Sequence, residues 1–223
     1  MKKIGIIGGM TPESTSYYYR KYIEISRERF EPYVFPELII YSINFGDFWA
    51  GGWEGRKKIL INAAKALERA GAELIAMSAN TPHKVFPDVQ KAVSVPMISI
   101  VDAVAEEIGR RGVGRVLLLG TKPTMSSGFY ISALRDNGID VIVPGEDEQE
   151  KLNEIIFSEL AFDNLSSRSW IVRLIEKYAE KGAEGVILGC TELPLAVKQG
   201  DVGMEVFDTA EIHMRKLIQL AAE

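Results

Sequence analysis

The sequence predicts an α/β fold, and three observations support this. Short runs of isoleucine, valine and leucine recur along the chain and alternate with longer amphipathic stretches. The runs are almost continuously apolar, as in strands that are buried on both faces of a parallel sheet. Several of them are followed directly by glycine, proline and small polar residues, which are typical of the turn from a strand into a helix. Strands that alternate with helices in this way form a parallel sheet flanked by helices.

The apolar runs and the amphipathic stretches give the predicted elements in chain order. The strands are expected near residues 3–8, 37–43, 73–79, 95–99, 115–120, 140–143, 184–189 and 204–207. The helices are expected near residues 12–29, 54–71, 81–93, 101–111, 124–137, 146–162, 168–181 and 210–222.

The first strand runs into the turn Gly9-Met10-Thr11. Thr11 is a suitable N-cap residue for the first helix, with Pro12 at its first position and Glu13 in its first turn. Glycine allows a close approach of the backbone to a ligand, and the N–H groups of a helix start favour an anion. The spacing matches neither a dinucleotide fingerprint nor a P-loop. The turn is therefore either a site for a small anion such as a carboxylate or simply a well-capped turn.

The second and third strands are also followed by residues that suit a binding site. The second leads into Asn44 and an aromatic, glycine-containing loop over 44–52, which could close over a site or pack on another subunit. The third ends in Ala79-Asn80-Thr81, where Asn80 and Thr81 suit an N-cap and the wall of a polar pocket. An orienting or capping role is favoured for His83, in the first turn that follows.

The middle of the chain resembles its beginning. The segment 116–121 is similar to the first strand and its turn, and 187–192 is similar to 76–81. This weak internal repeat predicts two similar lobes, with residues 1–99 plus 208–223 in the first and 100–207 in the second. Ligands in such sheets bind outside the carboxyl ends of the strands, so we expect a site in a cleft between the lobes.

The stretch GVILGCTELP at 185–194 predicts a buried strand, a tight turn and a short helix. Its Cys190 is the single cysteine of the chain. One interpretation is a small buried apolar side chain. The other is a reactive thiol whose pKa is lowered by the N–H groups at a helix start.

Composition restricts the class of protein. The chain has 223 residues, a net charge of −5 and no basic cluster, which argues against a nucleic-acid surface. No segment has the ~20 apolar residues of a membrane span, so no membrane association is expected. The single cysteine forms no internal disulfide, which fits a cytoplasmic protein. The two histidines, His83 and His213, are far apart in sequence and lack cysteine partners, so no metal site is predicted.

Five segments together resemble the aspartate/glutamate racemase family over essentially the whole chain. They read IGIIGGMTPEST, NTPHK, LLGTKPTM, GVILGCTELP and FDTAEIH. The resemblance implies two pseudo-symmetric flavodoxin-like lobes, a homodimer, an amino-acid or small-carboxylate substrate, and an active site that uses no cofactor. It implies a racemase that is independent of pyridoxal phosphate and inverts Cα of an acidic amino acid with two thiols. Cys190 matches the second of these. The positions that match the family's pocket lining are Gly9, Met10, Thr11, Asn80, Thr81, Thr121 and Thr191, and Asn44, Ala79 and Glu192 are also expected to line the substrate site.

Two positions differ from the family pattern. Ala79 occupies the position of the family's first cysteine, or of a threonine in one branch, and alanine has no proton to transfer. An arginine found near position 48 in some members is replaced by Phe48 and Trp49. The neighbouring Ser78 has a hydroxyl, but strand alternation should direct it to the opposite face from residue 79.

Several functions therefore remain open. The first is an amino-acid racemase, impaired by Ala79, with Cys190 as the principal base. The second is a single-cysteine enzyme that resembles the arylmalonate decarboxylases, in which one thiol protonates a planar intermediate. The third is a carboxylate-binding protein without turnover. Ala79 could also have been introduced deliberately.

Overall fold

The computed structural model describes residues 1–223 and divides them into two compact units, 1–100 with 210–223 and 101–209. The first unit contains a three-stranded parallel sheet in the order β2-β1-β3. Its strands are β1 (Ile4–Gly8), β2 (Leu38–Ser42) and β3 (Leu74–Met77). Met97 adds a single parallel bridge to Ile75 of β3. Its helices are α1 (Pro12–Arg29), α2 (Phe45–Ala50), α3 (Gly52–Arg69), a 3-10 helix (Thr81–Val85) and α4 (Phe86–Gln90).

The second unit contains a four-stranded parallel sheet in the order β5-β4-β6-β7. Its strands are β4 (Arg115–Gly120), β5 (Asp140–Ile142), β6 (Gly185–Gly189) and β7 (Glu205–Asp208). The chain enters this unit through α5 (Ile100–Arg110) and returns to the first unit in α11 (Thr209–Ala221). The other helices are α6 (Lys122–Ser126), α7 (Phe129–Asp136), α8 (Glu146–Ser158), a 3-10 helix (Leu160–Phe162), α9 (Arg168–Ala179) and α10 (Leu193–Ala196).

The two sheets share one topology. In each, the first strand in sequence lies at the centre, the second strand pairs on one side of it and the third on the other. Met97 stands beside β3 as β7 stands beside β6. This arrangement confirms the predicted α/β class and the similarity between the two halves of the chain.

Each sheet has a buried apolar core against its helices. The central strands β1 and β4 are almost wholly inaccessible, as expected for strands covered on both faces. The largest fully buried side chains include Tyr18, Ile6 and Leu60 in the first unit and Tyr130 and Phe207 in the second. No helix is both long enough and apolar enough to cross a bilayer.

Some predicted elements are wrong in detail, each for a local reason. The predicted helix 81–93 divides into a 3-10 helix and α4, because Pro87 has no backbone N–H and enters at the start of a helix. The predicted helix 124–137 divides at Gly128, whose φ of 77° is left-handed. The predicted loop 44–52 contains helix α2, and the predicted strand 95–99 amounts to the one bridge at Met97.

Candidate active site

In the first unit, strand register aligns three of the predicted site segments. Gly8 pairs with Ser42, and Ile7 pairs with Met77. The chain therefore leaves β1, β2 and β3 at the same edge of the sheet. This edge carries the turn 9–11, Asn44 and the segment 79–81.

The turn after β1 depends on Gly9. Its φ is 84°, and a Cβ atom placed there would collide with the carbonyl oxygen of Ile43. The N–H group of Gly9 donates a hydrogen bond of 2.7 Å to Oγ1 of Thr15. This N–H is therefore used inside the turn and is not offered to a ligand.

The start of α1 has the predicted cap. Oγ1 of Thr11 accepts a hydrogen bond of 3.3 Å from the N–H of Ser14, and Pro12 lies at the start of the helix. The N–H groups of Met10 and Thr11 make no hydrogen bond within the chain. Two backbone donors at the positive end of an eighteen-residue helix thus remain for an anion.

Asn44 has a structural role that the sequence does not predict. Its Oδ1 accepts a hydrogen bond of 3.2 Å from the N–H of Asp47, which caps α2. The residue is exposed, and its amide nitrogen has no role in the cap. A contact of Asn44 with substrate stays a prediction. Only the amide nitrogen of its side chain is suited to that contact, because the oxygen caps α2.

Ala79 follows β3 and packs its side chain against the apolar core of the first unit. Its carbonyl oxygen lies 2.9 Å from Nδ1 of His83. The preceding Ser78 is fully buried, and its hydroxyl has no hydrogen-bond partner. Because no base is hydrogen-bonded to that hydroxyl, Ser78 is unsuited to acid–base chemistry.

Asn80 and Thr81 differ from the expected caps. Asn80 is 3% exposed and has helical dihedral angles, φ −75° and ψ −51°, and its side chain makes no cap hydrogen bond. A residue with helical backbone does not present its side chain as an N-cap. Thr81 is the first residue of the 3-10 helix and is partly buried.

Two buried histidines, His83 and His213, lie edge to face in the first unit, with ring centroids 6.1 Å apart. Nε2 of His83 accepts a hydrogen bond of 3.1 Å from the N–H of Ile100, so the proton lies on Nδ1, which donates to the Ala79 carbonyl. Nε2 of His213 donates to the carbonyl oxygen of Ile98 at 2.9 Å, and Nδ1 lies 3.0 Å from the Tyr18 hydroxyl.

Both imidazoles are held neutral. Burial, reinforced by the nearby His213, lowers the pKa of His83 to about 3. Burial lowers the pKa of His213 to about 4. His83 is thus an orienting residue that holds the peptide of Ala79, in agreement with the role favoured from the sequence.

In the second unit, register aligns the ends of β4, β6 and β7. Gly120 pairs with Gly189, and Leu188 pairs with Asp208. A Cβ atom on Gly189 would lie 2.7 Å from the carbonyl oxygen of Leu119, so glycine allows the strands to end side by side. Thr121 and Cys190 therefore leave adjacent strands at the same edge.

Thr121 precedes α6, and its Oγ1 lies 3.1 Å from Oγ1 of Thr124. The N–H of Lys122 donates to Oδ1 of Asn153 at 2.9 Å. These contacts fix the turn after β4 and place the Thr121 hydroxyl at the edge beside β6.

Cys190 as a whole residue is partly exposed, and its thiol donates a hydrogen bond of 2.7 Å to Oε2 of Glu192. The same oxygen accepts from Oγ1 of Thr191 at 3.0 Å. Thr191 and Glu192 are 8% and 7% exposed. The three consecutive residues thus form one hydrogen-bonded group around a nearly buried carboxylate.

The expected lowering of the Cys190 pKa is wrong. Burial and the charge of Glu192 raise the pKa of the thiol well above its usual value. The helix that was expected to lower it, α10, has only four residues and begins at Leu193. Backbone N–H groups of Thr191 and Glu192 act in the expected direction but are outweighed. Cys190 is therefore a protonated thiol at neutral pH.

The sequence patterns do not predict the contacts of Arg56, whose guanidinium lies beside Phe48 and Trp49 of α2. Its Nε and Nη2 atoms donate to the carbonyl oxygens of Phe48 and Trp49, each at 3.0 Å. The spacing from Trp49 to Arg56 spans two helices, so no helical or strand period signals the contact. No group of three or more histidine, cysteine, aspartate or glutamate side chains is arranged to hold a metal ion.

The two parallel sheets and their polar strand ends define an α/β protein with the racemase fold. The chain belongs to the Asp/Glu/hydantoin racemase family, whose model matches residues 7–217. It is 30% identical over 196 residues to the broad specificity amino-acid racemase RacX of Bacillus subtilis, covering 85% of each chain.

Solved structures show the same fold. The structure of an aspartate racemase homologue from Pyrococcus horikoshii OT3 is 73% identical, covers 100% of both chains and superposes with a TM-score of 0.93. A variant of arylmalonate decarboxylase is 14% identical and has a TM-score of 0.59, over 99% of this chain and 93% of its own. The latter similarity concerns the fold alone.

Proposed function

We propose that this chain is a cofactor-independent isomerase that acts on amino acids of the aspartate/glutamate type, with Cys190 as its acid–base residue. The observation that carries the proposal is the hydrogen bond from the Cys190 thiol to the nearly buried Glu192 carboxylate, at the carboxyl end of β6. A thiol that is hydrogen-bonded to a proton acceptor has the parts that proton transfer at carbon requires. Membership of the racemase family supports the same conclusion.

The chemistry follows from the two partners. Glu192 takes the thiol proton, which gives a thiolate and a neutral carboxyl group. The thiolate then removes the α-proton of the substrate, which leaves an enolate-like carbanion and restores the S–H bond. Because the pKa of the thiol is raised, the thiolate is a strong base once it forms. The thiol then returns this proton, or a solvent proton that has exchanged with it, to the same face of the carbanion, which regenerates the starting enantiomer. Glu192 gives its proton back to the thiolate and closes the cycle.

Substrate carboxylates need hydrogen-bond donors, because negative charge accumulates in the transition state. The free N–H groups of Met10 and Thr11 suit the α-carboxylate. The Thr121 and Thr191 hydroxyls, and the side chains of Asn80 and Thr81, match the family's pocket positions. Their contact with substrate is part of the proposal.

Inversion needs a second proton donor on the face of Cα that Cys190 does not reach. The family pattern places that donor at residue 79, and alanine has no such proton. We therefore propose that exchange of the α-proton is faster than inversion in this chain.

A second candidate is a single-thiol enzyme that protonates a planar intermediate on one face, as the resemblance to arylmalonate decarboxylases suggests. The raised pKa of Cys190 favours it, because such a step needs a thiol that carries its proton at rest. Decarboxylation of a malonate leaves an enediolate, and Cys190 would transfer its proton to that carbon. This reaction requires neither a second thiol nor a proton donor at residue 79.

We also propose that the protein is a cytoplasmic homodimer. Its one cysteine forms no disulfide. Strand β2 is an edge strand that pairs only with β1, and it exposes Ile40 by 38% and Tyr41 by 43%. An uncovered apolar edge favours pairing with another copy. Sedimentation equilibrium of wild type and Ile40→Lys tests this, with dissociation expected for the variant.

Incubation with each amino-acid enantiomer in deuterated water tests the enzymatic proposal. Loss of the α-¹H signal reports proton removal, and chiral chromatography reports inversion. Exchange that exceeds inversion, and that is abolished in Cys190→Ala, is the expected result. Exchange retained in Cys190→Ala removes the thiol from the mechanism, and no exchange with any amino acid favours a binding protein. Carbon dioxide release from an arylmalonate identifies the second candidate.

A further inference from the structure

The large apolar side chains that the second unit leaves exposed lie in one short segment. Phe157 is 37% exposed, Phe162 is 77% exposed and Leu165 is 42% exposed. All three fall within residues 157–165, which we call the apolar segment. Exposed apolar residues that are scattered singly need no explanation, whereas a group of them marks a surface that contacts something.

The apolar segment has a fixed backbone. It bends at Asp163, whose φ of 56° is left-handed. The carboxylate of Glu159 accepts a hydrogen bond of 2.7 Å from the Ser166 hydroxyl. The same carboxylate accepts hydrogen bonds of 3.1 Å and 2.8 Å from the N–H and the hydroxyl of Ser167. These bonds close the segment on itself, so the Phe162 ring is presented from a well-defined turn.

One end of the apolar segment continues a helix face that contacts the turn after β4. Oδ1 of Asn153, on α8, accepts its hydrogen bond from the N–H of Lys122, the residue after Thr121. Residues four apart on a helix lie on the same face. Phe157 therefore follows Asn153 on the face of α8 that meets this turn.

The middle of the apolar segment contacts the chain that follows β6. The 3-10 helix Leu160–Phe162 contacts α10, and Leu160 is buried in the same apolar cluster as Leu193, the first residue of α10. The N–H of Leu193 donates a hydrogen bond of 3.2 Å to the carbonyl oxygen of Cys190. The apolar segment thus adjoins the ends of β4 and β6, the adjacent strands that lead to Thr121 and Cys190.

The apolar segment offers no positive charge to a ligand. Residues 157–165 include Glu159 and Asp163 but no lysine or arginine. Lys122, in the neighbouring turn, is paired with Glu150 at 2.6 Å. A ligand carboxylate is therefore disfavoured on this segment, whereas an uncharged apolar group gains by covering it.

We infer that the site accepts, besides acidic amino acids, those with an uncharged apolar side chain, which packs against Phe162. The inference rests on the proposed function and widens its substrate class: Cys190 acts at Cα, and the side chain of the substrate extends over the apolar segment. One methylene more or less in an apolar subsite changes kcat/KM by about tenfold to two-hundredfold. A contact with the Phe162 ring is therefore large enough to set a preference.

Exchange of the α-proton in deuterated water, measured for leucine and for alanine, tests the inference. Both side chains are apolar, and that of leucine is longer. In wild type we expect kcat/KM to be higher for leucine than for alanine. Phe162→Ala should lower the value for leucine about tenfold and leave that for alanine unchanged. Phe162→Leu should restore most of the loss, because it returns an apolar side chain to the same place.

Tyr33→Ala is the matched control. Tyr33 is 95% exposed and precedes β2, toward the opposite end of that strand from Asn44. The control removes an exposed ring outside the apolar segment, so the ratio of the leucine to the alanine value should stay as in wild type. Equal values for the two amino acids in wild type, or a ratio that falls no further in Phe162→Ala than in Tyr33→Ala, would overturn the inference.

Covering of the ring by a second copy of the chain has its own signature. Sedimentation equilibrium of Phe162→Ala should give the same mass as wild type. A lower mass would show that Phe162 lies in an interface between copies, which would overturn its role in the substrate site.

Failure of the proposed function is distinguished by a binding measurement. If wild type exchanges the α-proton of no amino acid, it is titrated calorimetrically with isocaproate and with propionate, which are leucine and alanine without the amino group. Tighter binding of isocaproate that is lost in Phe162→Ala would leave the apolar subsite standing without the amino-acid function. Equal binding of the two acids, or none, would overturn the subsite as well.

Discussion

The Cys190 thiol and the Glu192 carboxylate lie 2.7 Å apart, and the carboxylate oxygen also accepts a hydrogen bond from Thr191. The pair combines a proton donor with an acceptor that is 7% exposed. Glu192 therefore has two opposite effects on the thiol: its charge disfavours the thiolate at equilibrium, and its position offers the thiol proton a place to go. The balance between these effects can be measured because the chain has one cysteine.

Glu192→Gln should lower the pKa of the Cys190 thiol. The substitution removes the negative charge that raises the pKa and keeps the size of the side chain, while burial continues to act. The measurement is the rate of alkylation by iodoacetamide as a function of pH, which reports one thiol because the chain has one cysteine. Glu180→Gln, at an exposed position after α9, should leave the midpoint unchanged. A midpoint that stays or rises in Glu192→Gln would contradict the assigned cause.

Ala79→Cys should raise the rate of inversion relative to exchange of the α-proton. A general acid or base at the right position contributes about 10²–10⁴-fold, so a clear gain is expected if residue 79 is the missing donor. The assay compares α-¹H loss with chiral inversion in the same sample. Ser78→Cys is the matched control, because residue 78 is fully buried and adjacent in sequence. A gain of the same size in Ser78→Cys, or none in Ala79→Cys, would exclude residue 79 as the second proton donor.

The histidine pair should make the protein less stable in mild acid. In the unfolded chain each imidazole titrates at its ordinary pKa of 6.5, whereas in the folded chain the values are about 3 for His83 and about 4 for His213. The unfolded state therefore binds more protons below pH 6.5, and the stabilisation present above that pH is lost as the pH falls toward the folded values. Each histidine contributes about 1.4 kcal/mol per pH unit to this loss.

Urea denaturation at several pH values between about 6.5 and 5 measures the effect, since ordinary carboxyl groups titrate at lower pH. His83→Gln retains an acceptor for the Ile100 N–H and removes one titrating group, so its free energy of unfolding should depend less steeply on pH. An unchanged slope in His83→Gln would show that His83 does not account for the acid sensitivity.

The fold could be predicted from the sequence because its signal is local. Continuous apolar runs such as 116–119 form buried strands, because a strand that is covered on both faces of a parallel sheet has apolar side chains throughout. Thr11 and Pro12 determine where α1 begins through contacts within its own first turn. The similarity of 187–192 to 76–81 also anticipates the equivalent places of β6 and β3 beside the central strands. These features need no knowledge of distant contacts.

The state of the thiol could not be predicted, because it depends on a side-chain rotamer. The sequence places Cys190 near a helix start and Glu192 two residues later, but it does not show whether the carboxylate turns toward the sulfur. The contact of Arg56 with Phe48 and Trp49 depends similarly on how α2 and α3 pack. In both cases the chemistry is decided by tertiary contacts rather than by residue type and spacing.

The turn that positions the two free N–H groups depends on one glycine, and Gly9→Ala should destabilise the protein by about 1–3 kcal/mol or more. Alanine disfavours a φ of 84°, and its Cβ would meet the backbone of Ile43, which follows the neighbouring strand and cannot swing away as a side chain can. Gly55→Ala is the matched control within the first unit. Gly55 lies inside α3 with open space around it, and alanine should stabilise a helix interior by about 0.5–1 kcal/mol. Chemical denaturation of the two variants should therefore give shifts of opposite sign. If Gly9→Ala folds with the stability of wild type, the turn has an alternative conformation and its N–H groups are not held in place for a carboxylate.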